Sequence, residues 1–316
     1  MSHSIENNTF VFIIGSPRSG TTILGEILDK HEKISQWYEP YFVWDRQFRT
    51  HSHDERTAEE ATPKIINQIY TEFLNYKKKT DSRIIVDKSP RNSLKIPFIR
   101  KIFPQACFIH ILRDGRDATL SIHKEWLKRK NIVNDPQKIN RFDYHSALIV
   151  AVKWLRRQPF IMDKISALWF ETHGHFINKR YHLNRLRWNG EVGWGPRFKG
   201  WETCFYEKSM LQFNAIQWSK CIESIQNNWS NIPVEQKIEI RYEDFISNGE
   251  SIITNLFDFL KLDAKRDFWD SIPKLKANNF NKWKNEFSKD QISEIHAILT
   301  PKLIELGYED NPDWAL

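Results

Sequence analysis

The sequence predicts an α/β fold, a doubly wound parallel sheet flanked by helices with one aromatic-rich insertion. Three observations predict it. Short, unbroken apolar runs recur along the chain, stretches with helical spacing follow them, and a glycine-containing turn joins the first run to the first helix. Unbroken apolar runs mark strands covered on both faces, and strands alternating with helices imply parallel crossovers.

Phe10 to Ile14 (FVFII) is the first such run and stops at Gly15. Beyond the turn, Ile23, Leu24, Ile27 and Leu28 recur at helical spacing. A second strand leads into QWYEP (36–40), RIIVDKSP (83–90) gives a third, and CFIHILRD (107–114) a fourth that runs into another helical stretch. KIEIRYEDF (237–245) is a later strand, followed by a helix over Ser251 to Leu260. Residues 168–203 break this rhythm, with Trp169, Trp188, Trp194 and Trp201 among many basic residues and neither period present. They are expected to form an insertion or lid within a single domain spanning 1–316, since no repeat, low-complexity tract or linker interrupts the chain.

With 40% hydrophobic and 28% charged residues the chain is globular rather than disordered. A net charge of +7 favours anionic partners without choosing between nucleic acid, a membrane surface and a phosphate-rich ligand. The odd, widely spaced Cys107, Cys204 and Cys221 argue against a disulfide framework or zinc site and point to a reducing, cytoplasmic setting. The polar N-terminus lacks an apolar signal stretch, and no run has the roughly 18 or more apolar residues of a membrane helix. The expectation is therefore a protein without an integral membrane segment.

In sheets of this kind ligands bind beyond the carboxyl ends of the strands, and the chemistry-bearing motifs all fall there. Gly15-Ser16-Pro17-Arg18-Ser19-Gly20-Thr21-Thr22 lies between the first strand and first helix. Its glycines allow a tight turn, and amides at the helix start point at an anion, aided by the helix dipole. The spacing is that of a P-loop, GxxxxGK[ST], except that Thr21 stands where the lysine belongs. The cation in the loop is Arg18 instead, whose guanidinium can fork onto two oxygens of a phosphate or sulfate.

Here the sequence resembles the superfamily of sulfotransferases that use 3′-phosphoadenosine-5′-phosphosulfate (PAPS) and release the bisphosphate PAP. Pro17-Arg18-Ser19-Gly20-Thr21-Thr22 resembles its 5′-phosphosulfate loop, and ILRDGRDATLSIH (111–123) its 3′-phosphate segment. In the latter, Arg113 leaves a strand end and Ser121 follows about two helical turns into the next helix. VDKSPRNS (86–93), IRYEDF (240–245), KWKNEF (282–287) and LGYEDNP (306–312) continue the likeness in order, over most of the chain outside 168–203 and 45–80. The style is closest to protein-tyrosine sulfotransferases and bacterial relatives with a glutamate base.

What the resemblance implies is in-line transfer of a sulfuryl group to an acceptor hydroxyl, with Glu39 as base and Lys88 facing the bridging oxygen. It implies a P-loop-like fold, Tyr242 at the adenine edge, and PAPS as co-substrate; a buried core role for Tyr242 stays equally open. Lys274, Lys276 and Lys282 could meet the 3′ side or lie on a solvated face. No metal site is expected: Asp87 imitates a Walker B acid but precedes Lys88, and the histidine pairs at 51 and 53 and at 173 and 175 lack partners. His110, inside a predicted buried strand, is expected to be a core residue. The acceptor is expected to be a small molecule, glycan or glycolipid, not nucleic acid. A P-loop-type kinase or NTPase, and a non-catalytic basic binder of nucleotides or nucleic acid, remain the alternatives; Thr21 argues against the first, the ordered motifs against the second.

Overall fold

The structure is a computed structural model, and it describes residues 10–48, 51–133, 188–189, 191, 193–275 and 279–315. The strands are β1 (Phe10–Ile14), β2 (Ile34–Tyr38), β3 (Ile84–Lys88), β4 (Cys107–Leu112) and β5 (Lys237–Arg241). They form one five-stranded sheet in the order β2-β3-β1-β4-β5. Every pairing is parallel. The chain leaves β1 towards one edge and later returns past it to the other, so the crevice beyond β1 is where ligands are expected.

Helices α1 (Thr21–Leu28), α2 (Tyr41–Trp44), α3 (Pro63–Thr80), α4 (Ile96–Ile102) and α5 (Gly115–Val133) fill the first part of the chain. In the later part lie α6 (Trp201–Glu207), α7 (Met210–Trp229), α8 (Tyr242–Ser247), α9 (Gly249–Leu260), α10 (Arg266–Ser271), α11 (Trp283–Glu286) and α12 (Lys289–Glu305). α3 shows why such segments are helical: Thr62 caps its start, Pro63 opens it, and Ile69, Phe73 and Tyr76 form its buried stripe.

Strand alternation splits the core into two layers. Phe10, Phe12, Ile14, Ile85 and Phe108 face one way, against Trp44, Phe73, Phe98 and Phe103. Val11, Ile13, Ile84, Val86, Ile109 and Ile111 face the other, against Leu24, Ile27, Phe245, Ile253 and Phe257. Both faces being covered is why the central strands β1, β3 and β4 carry unbroken apolar runs. β5 ends at Arg241, four residues before the end of the stretch read as strand from sequence, and Tyr242 opens a helix instead.

The contacts divide the chain into two units, one made of Met1–Ile122 with Pro196–Leu316 and the other of His123–Gly195. The sheet belongs to the first. In the second, Trp126 and Trp188 meet edge to face at 5.2 Å and Arg129 pairs with Glu125 at 2.7 Å. Of the stretch expected as an insertion, 168–187, 190 and 192 lie outside the described residues. Its end, 196–203, belongs to the first unit, where Arg197 and Asp54 exchange backbone and side-chain bonds and Trp201 is fully buried. No helix among the described residues is long and apolar enough to cross a membrane.

Candidate active site

β1 delivers the chain into the cradle, and the two glycines are there for lack of room. A Cβ on Gly15 would lie 2.5 Å from the Ile111 carbonyl oxygen, and one on Gly20 would lie 2.5 Å from the Tyr242 ring. Gly20 also has φ +93°, where a side chain is strained. The Ser93 hydroxyl ties the turn down by accepting from the Gly15 amide at 3.0 Å and donating to its carbonyl at 2.8 Å. Ser16 and Ser19 share a 2.6 Å hydroxyl contact beneath the loop. Among the described residues no acceptor meets the amides of Gly20, Thr21 and Thr22, which open α1. Free amides at a helix start form an anion site.

Arg18 sits at the cradle's rim, exposed, with a left-handed φ of +65°. Its Nε donates to Ser121 Oγ at 3.0 Å, and its carbonyl oxygen accepts from Arg113 Nη1 at 2.8 Å. The fold thus brings the loop arginine, the strand-end arginine and the helix serine to one place. Arg113 is almost wholly buried, its guanidinium stacks 4.3 Å from the Tyr242 ring centroid, and its Nε has no partner. Tyr242 is buried below it and its hydroxyl accepts from Asn279 Nδ2 at 2.5 Å. Asn279, absent from the sequence reading, also receives Arg113 Nη2 on its carbonyl and Lys282 Nζ on its side-chain oxygen. Lys282 is therefore beside this group; Lys276 lies outside the described residues.

On the other side of the cradle, β2 and β3 run in register with Tyr38 opposite Lys88. Lys88 is 1% exposed, and its Nζ meets Glu39 Oε1 at 2.6 Å and lies 4.0 Å from the Tyr38 ring centroid. Its Cβ lies near Gly25 of α1, so it stands on the cradle's face of the sheet. Glu39 is a quarter exposed and has φ +45°, a region non-glycine residues rarely occupy. Its amide donates to the Lys88 carbonyl at 3.3 Å. Glu39 and Lys88, chosen from sequence alone, are thus in contact.

Around them lie Tyr41 and the exposed Phe42. Burial, then the Glu39 charge, holds the Tyr41 phenol well above its usual range. Arg91 stacks 3.8 Å from the Tyr41 ring centroid and pairs with Asp45 at 2.9 Å. Asp87, the Walker B look-alike, points to the opposite face, fully buried, and accepts the Trp44 indole N–H at 2.7 Å. Burial pushes it up to about 7. Among the described residues no group of His, Cys, Asp and Glu has metal-holding geometry. His110 is a core residue bonded to Glu239 at 2.8 Å. His51 lies 3.8 Å from Glu60, while His173 and His175 lie outside the described residues.

The remaining motifs hold the frame. Arg116 pairs with Asp114 and Glu309, both at 2.7 Å, beneath Trp283 at 4.3 Å. Asp117 accepts from the amides of Asn281 and Trp283. Glu243 accepts from the Asp114 amide and from the Tyr308 hydroxyl, both at 3.0 Å. RDGRD, RYED, KWKNEF and LGYED thus form one polar network, lining an acid-rich cleft of about 580 Å³ that contains neither Arg18, Lys88 nor Glu39.

The fold is P-loop-like in architecture, and the turn after β1 keeps the glycine spacing of such a loop without the Walker lysine. The profile of the Sulfotransferase family matches residues 11–164. Protein-tyrosine sulfotransferase A of Caenorhabditis elegans is 22% identical over 96% of this chain and 68% of its own length. Protein-tyrosine sulfotransferase 1 of Rattus norvegicus is 21% identical over 96% and 70%. Among solved structures, the sulfotransferase domain from the curacin biosynthetic pathway aligns over 95% of this chain and 98% of its own, with TM-score 0.53 and 14% identity, a likeness of fold. The profile covers just under half of the chain and the curated relatives nearly all of it, and these likenesses support a sulfotransferase enzyme.

Proposed function

We propose that the protein moves the sulfuryl group of PAPS to an acceptor hydroxyl, with Glu39 as base. The observation that carries this is the 2.6 Å contact between Glu39 and the buried Lys88, placed beside a cradle whose amides are free. The residues present fit the cofactor. The helix-start amides and Arg18 can take the 5′-phosphosulfate, and Arg113, with its unpartnered Nε, and Ser121 can take the 3′-phosphate. Tyr242 forms the floor between the two groups rather than a free edge.

PAPS supplies a sulfur whose bond to the bridging phosphate oxygen breaks as the acceptor oxygen bonds to it. Glu39 removes the acceptor proton, and Lys88 neutralises the charge that grows on the departing phosphate. Arg18 and the loop amides hold the equatorial oxygens, as positioning and electrostatics demand in such displacements. These groups supply the positive charge a magnesium ion would bring, so turnover in excess chelator is expected.

For the acceptor we favour a carbohydrate or glycolipid hydroxyl, approached over Tyr38, Tyr41 and Phe42, since aromatic faces suit sugar rings. A tyrosyl peptide is the second reading, favoured by the names of relatives that span most of this chain. The three free cysteines support a cytoplasmic setting. The first test is calorimetric titration with PAP beside ATP, on the wild type and on Arg18→Ala and Arg113→Ala. Selective PAP binding, lost in both variants, supports the assignment; preference for ATP with magnesium, or salt-sensitive oligonucleotide binding without PAP, refutes it. A panel of oligosaccharide, glycolipid and tyrosyl peptide, with labelled PAPS and Glu39→Gln as the base-deficient control, then separates the two acceptors.

A further inference from the structure

β3 ends in Asp87-Lys88, and strand alternation sends these neighbours to opposite faces of the sheet. Lys88 reaches the Glu39 carboxylate from one face. From the other, Asp87 reaches Trp44, the last residue of α2, which begins two residues after Glu39. One strand end therefore grips the segment carrying Glu39 from both sides.

That segment needs gripping. Glu39 is a β-unbranched but bulky residue held at φ +45°, a conformation that persists only where the surroundings fix it. Local bonds do part of this: the Tyr41 amide donates to the Glu39 carbonyl at 2.7 Å and the Trp44 amide to the Pro40 carbonyl at 3.4 Å. A single turn of helix fixes nothing by itself. Its anchor is the Trp44 ring, packed against Phe12, Phe73 and Phe98, with the indole N–H on Asp87 Oδ2.

Asp87 is an expensive way to satisfy one indole. It has no exposed surface, and burial outweighs the help it receives from Asn92, Trp44 and the nearby lysines, so a carboxyl is kept where an apolar residue would pack. Lys95, 3% exposed, makes no hydrogen bond with it and lies 5.5 Å from the Trp44 ring centroid. Of the donors that favour this carboxyl, Asn92 and Trp44, the Trp44 indole is the one on the segment that carries Glu39. We propose that Asp87 is a positioning residue for Glu39, acting through Trp44 to hold the β2–α2 turn so that the glutamate meets Lys88 and the acceptor oxygen.

The proposal rests on Glu39 being the base, and its test separates the two. Asp87→Leu, Asp87→Asn and Trp44→Phe are made alone and on Glu39→Gln, then assayed for PAP affinity and for kcat and KM with the tyrosyl peptide or oligosaccharide the wild type sulfates. Asp87→Leu and Trp44→Phe should lower kcat by about tenfold to a hundredfold while PAP affinity changes less than about twofold. Asparagine, which still accepts the indole bond, should restore most of the rate. On Glu39→Gln the same changes should add no further loss, because their effect passes through that side chain. Full kcat in the two disrupting variants, or an equal loss on Glu39→Gln, overturns the proposal. Should Glu39→Gln keep the wild-type rate, the base assignment fails instead. Crystal structures of Trp44→Phe and, where it folds, Asp87→Leu then decide the positioning role: an unmoved Glu39–Lys88 contact overturns it and a displaced one sustains it.

Discussion

Replacing Glu39 by glutamine has a consequence for stability that can be worked from the geometry. Lys88 is 1% exposed and its ammonium meets Glu39 at 2.6 Å, while Glu39 is 26% exposed. Neutralising the glutamate leaves a buried ammonium without its counter-charge. Breaking a buried pair in this way costs about 3–5 kcal/mol, and the partial exposure of Glu39 together with the glutamine oxygen brings the expectation down to about 2 kcal/mol. Lys88→Met does the reverse. It removes the buried charge and leaves a carboxylate that water can reach, so the loss should be below about 1 kcal/mol. At roughly 2 °C per kcal/mol for a chain of this size, Glu39→Gln should melt about 4 °C lower and Lys88→Met nearly unchanged.

Ligand then distinguishes this pair from any other buried ion pair. If Lys88 faces the cofactor's phosphate, PAP replaces the missing carboxylate in Glu39→Gln. The thermal shift produced by saturating PAP should be larger in that variant than in the wild type and smaller in Lys88→Met. Thermal unfolding at low salt, with and without PAP, measures both. Equal PAP shifts in all three proteins would refute the placement of Lys88 at the phosphate, and a Lys88→Met less stable than Glu39→Gln would refute the charge argument itself.

Gly20→Ala forces a Cβ to 2.5 Å from the buried Tyr242 ring at φ +93°, and at least about 2 kcal/mol of stability should be lost with PAP binding, read by denaturation and calorimetry. Asp87 titrates near 7 in the fold, above its unfolded value, so the native state holds its proton more tightly and stability falls as pH rises between those values. Asp87→Asn lacks this loss, so urea unfolding should show the variant gaining on the wild type by up to about 1.4 kcal/mol per pH unit from pH 5 to about 7 and levelling off above it. Parallel curves would show that Asp87 is not ionising there. Arg116→Met strands Asp114 and Glu309 and should cost about 3 kcal/mol in the same assay while leaving the identity of the preferred nucleotide unchanged.

The central strands β1, β3 and β4 were legible because each is covered on both faces, which removes the polar half of the alternation and leaves runs such as FVFII. The cradle was legible because its residues are contiguous. Reading KIEIRYEDF as one strand fails at Tyr242 for a physical reason: Ile238, Ile240 and Tyr242 alternate, but Tyr242, Phe245 and Ile246 also make a helical stripe, and the buried face of α8 decides. Asn279 was invisible, since a polar residue with no motif around it gives no sign of bonding Tyr242. The same holds for Arg116 with Glu309 and for Arg197 with Asp54. Sequence supplies the charges of such pairs and says nothing of which distant partner each one finds. Asp87 was legible only as a comparison with a different enzyme class; its face of the strand, not its motif, tells what it does.

Backbone strain adds an independent line to the choice of site residues. Among the described non-glycine residues with positive φ, Asp81 and Lys261 follow the ends of α3 and α9, where a left-handed residue terminates a helix at small cost. Arg18 and Glu39 end no helix. Each sits instead in the turn that follows a strand at the carboxyl edge of the sheet, Arg18 after β1 and Glu39 after β2. Neither is a glycine or asparagine that would relieve the strain. Each is held by bonds from another strand end: Arg113, just past β4, grips the Arg18 carbonyl, and the Lys88 carbonyl of β3 takes the Glu39 amide. Strain held in place by distant partners is what a site needs when a side chain must be aimed before its ligand arrives. The two residues so treated are the two that the proposed reaction assigns to the sulfate and to the acceptor proton.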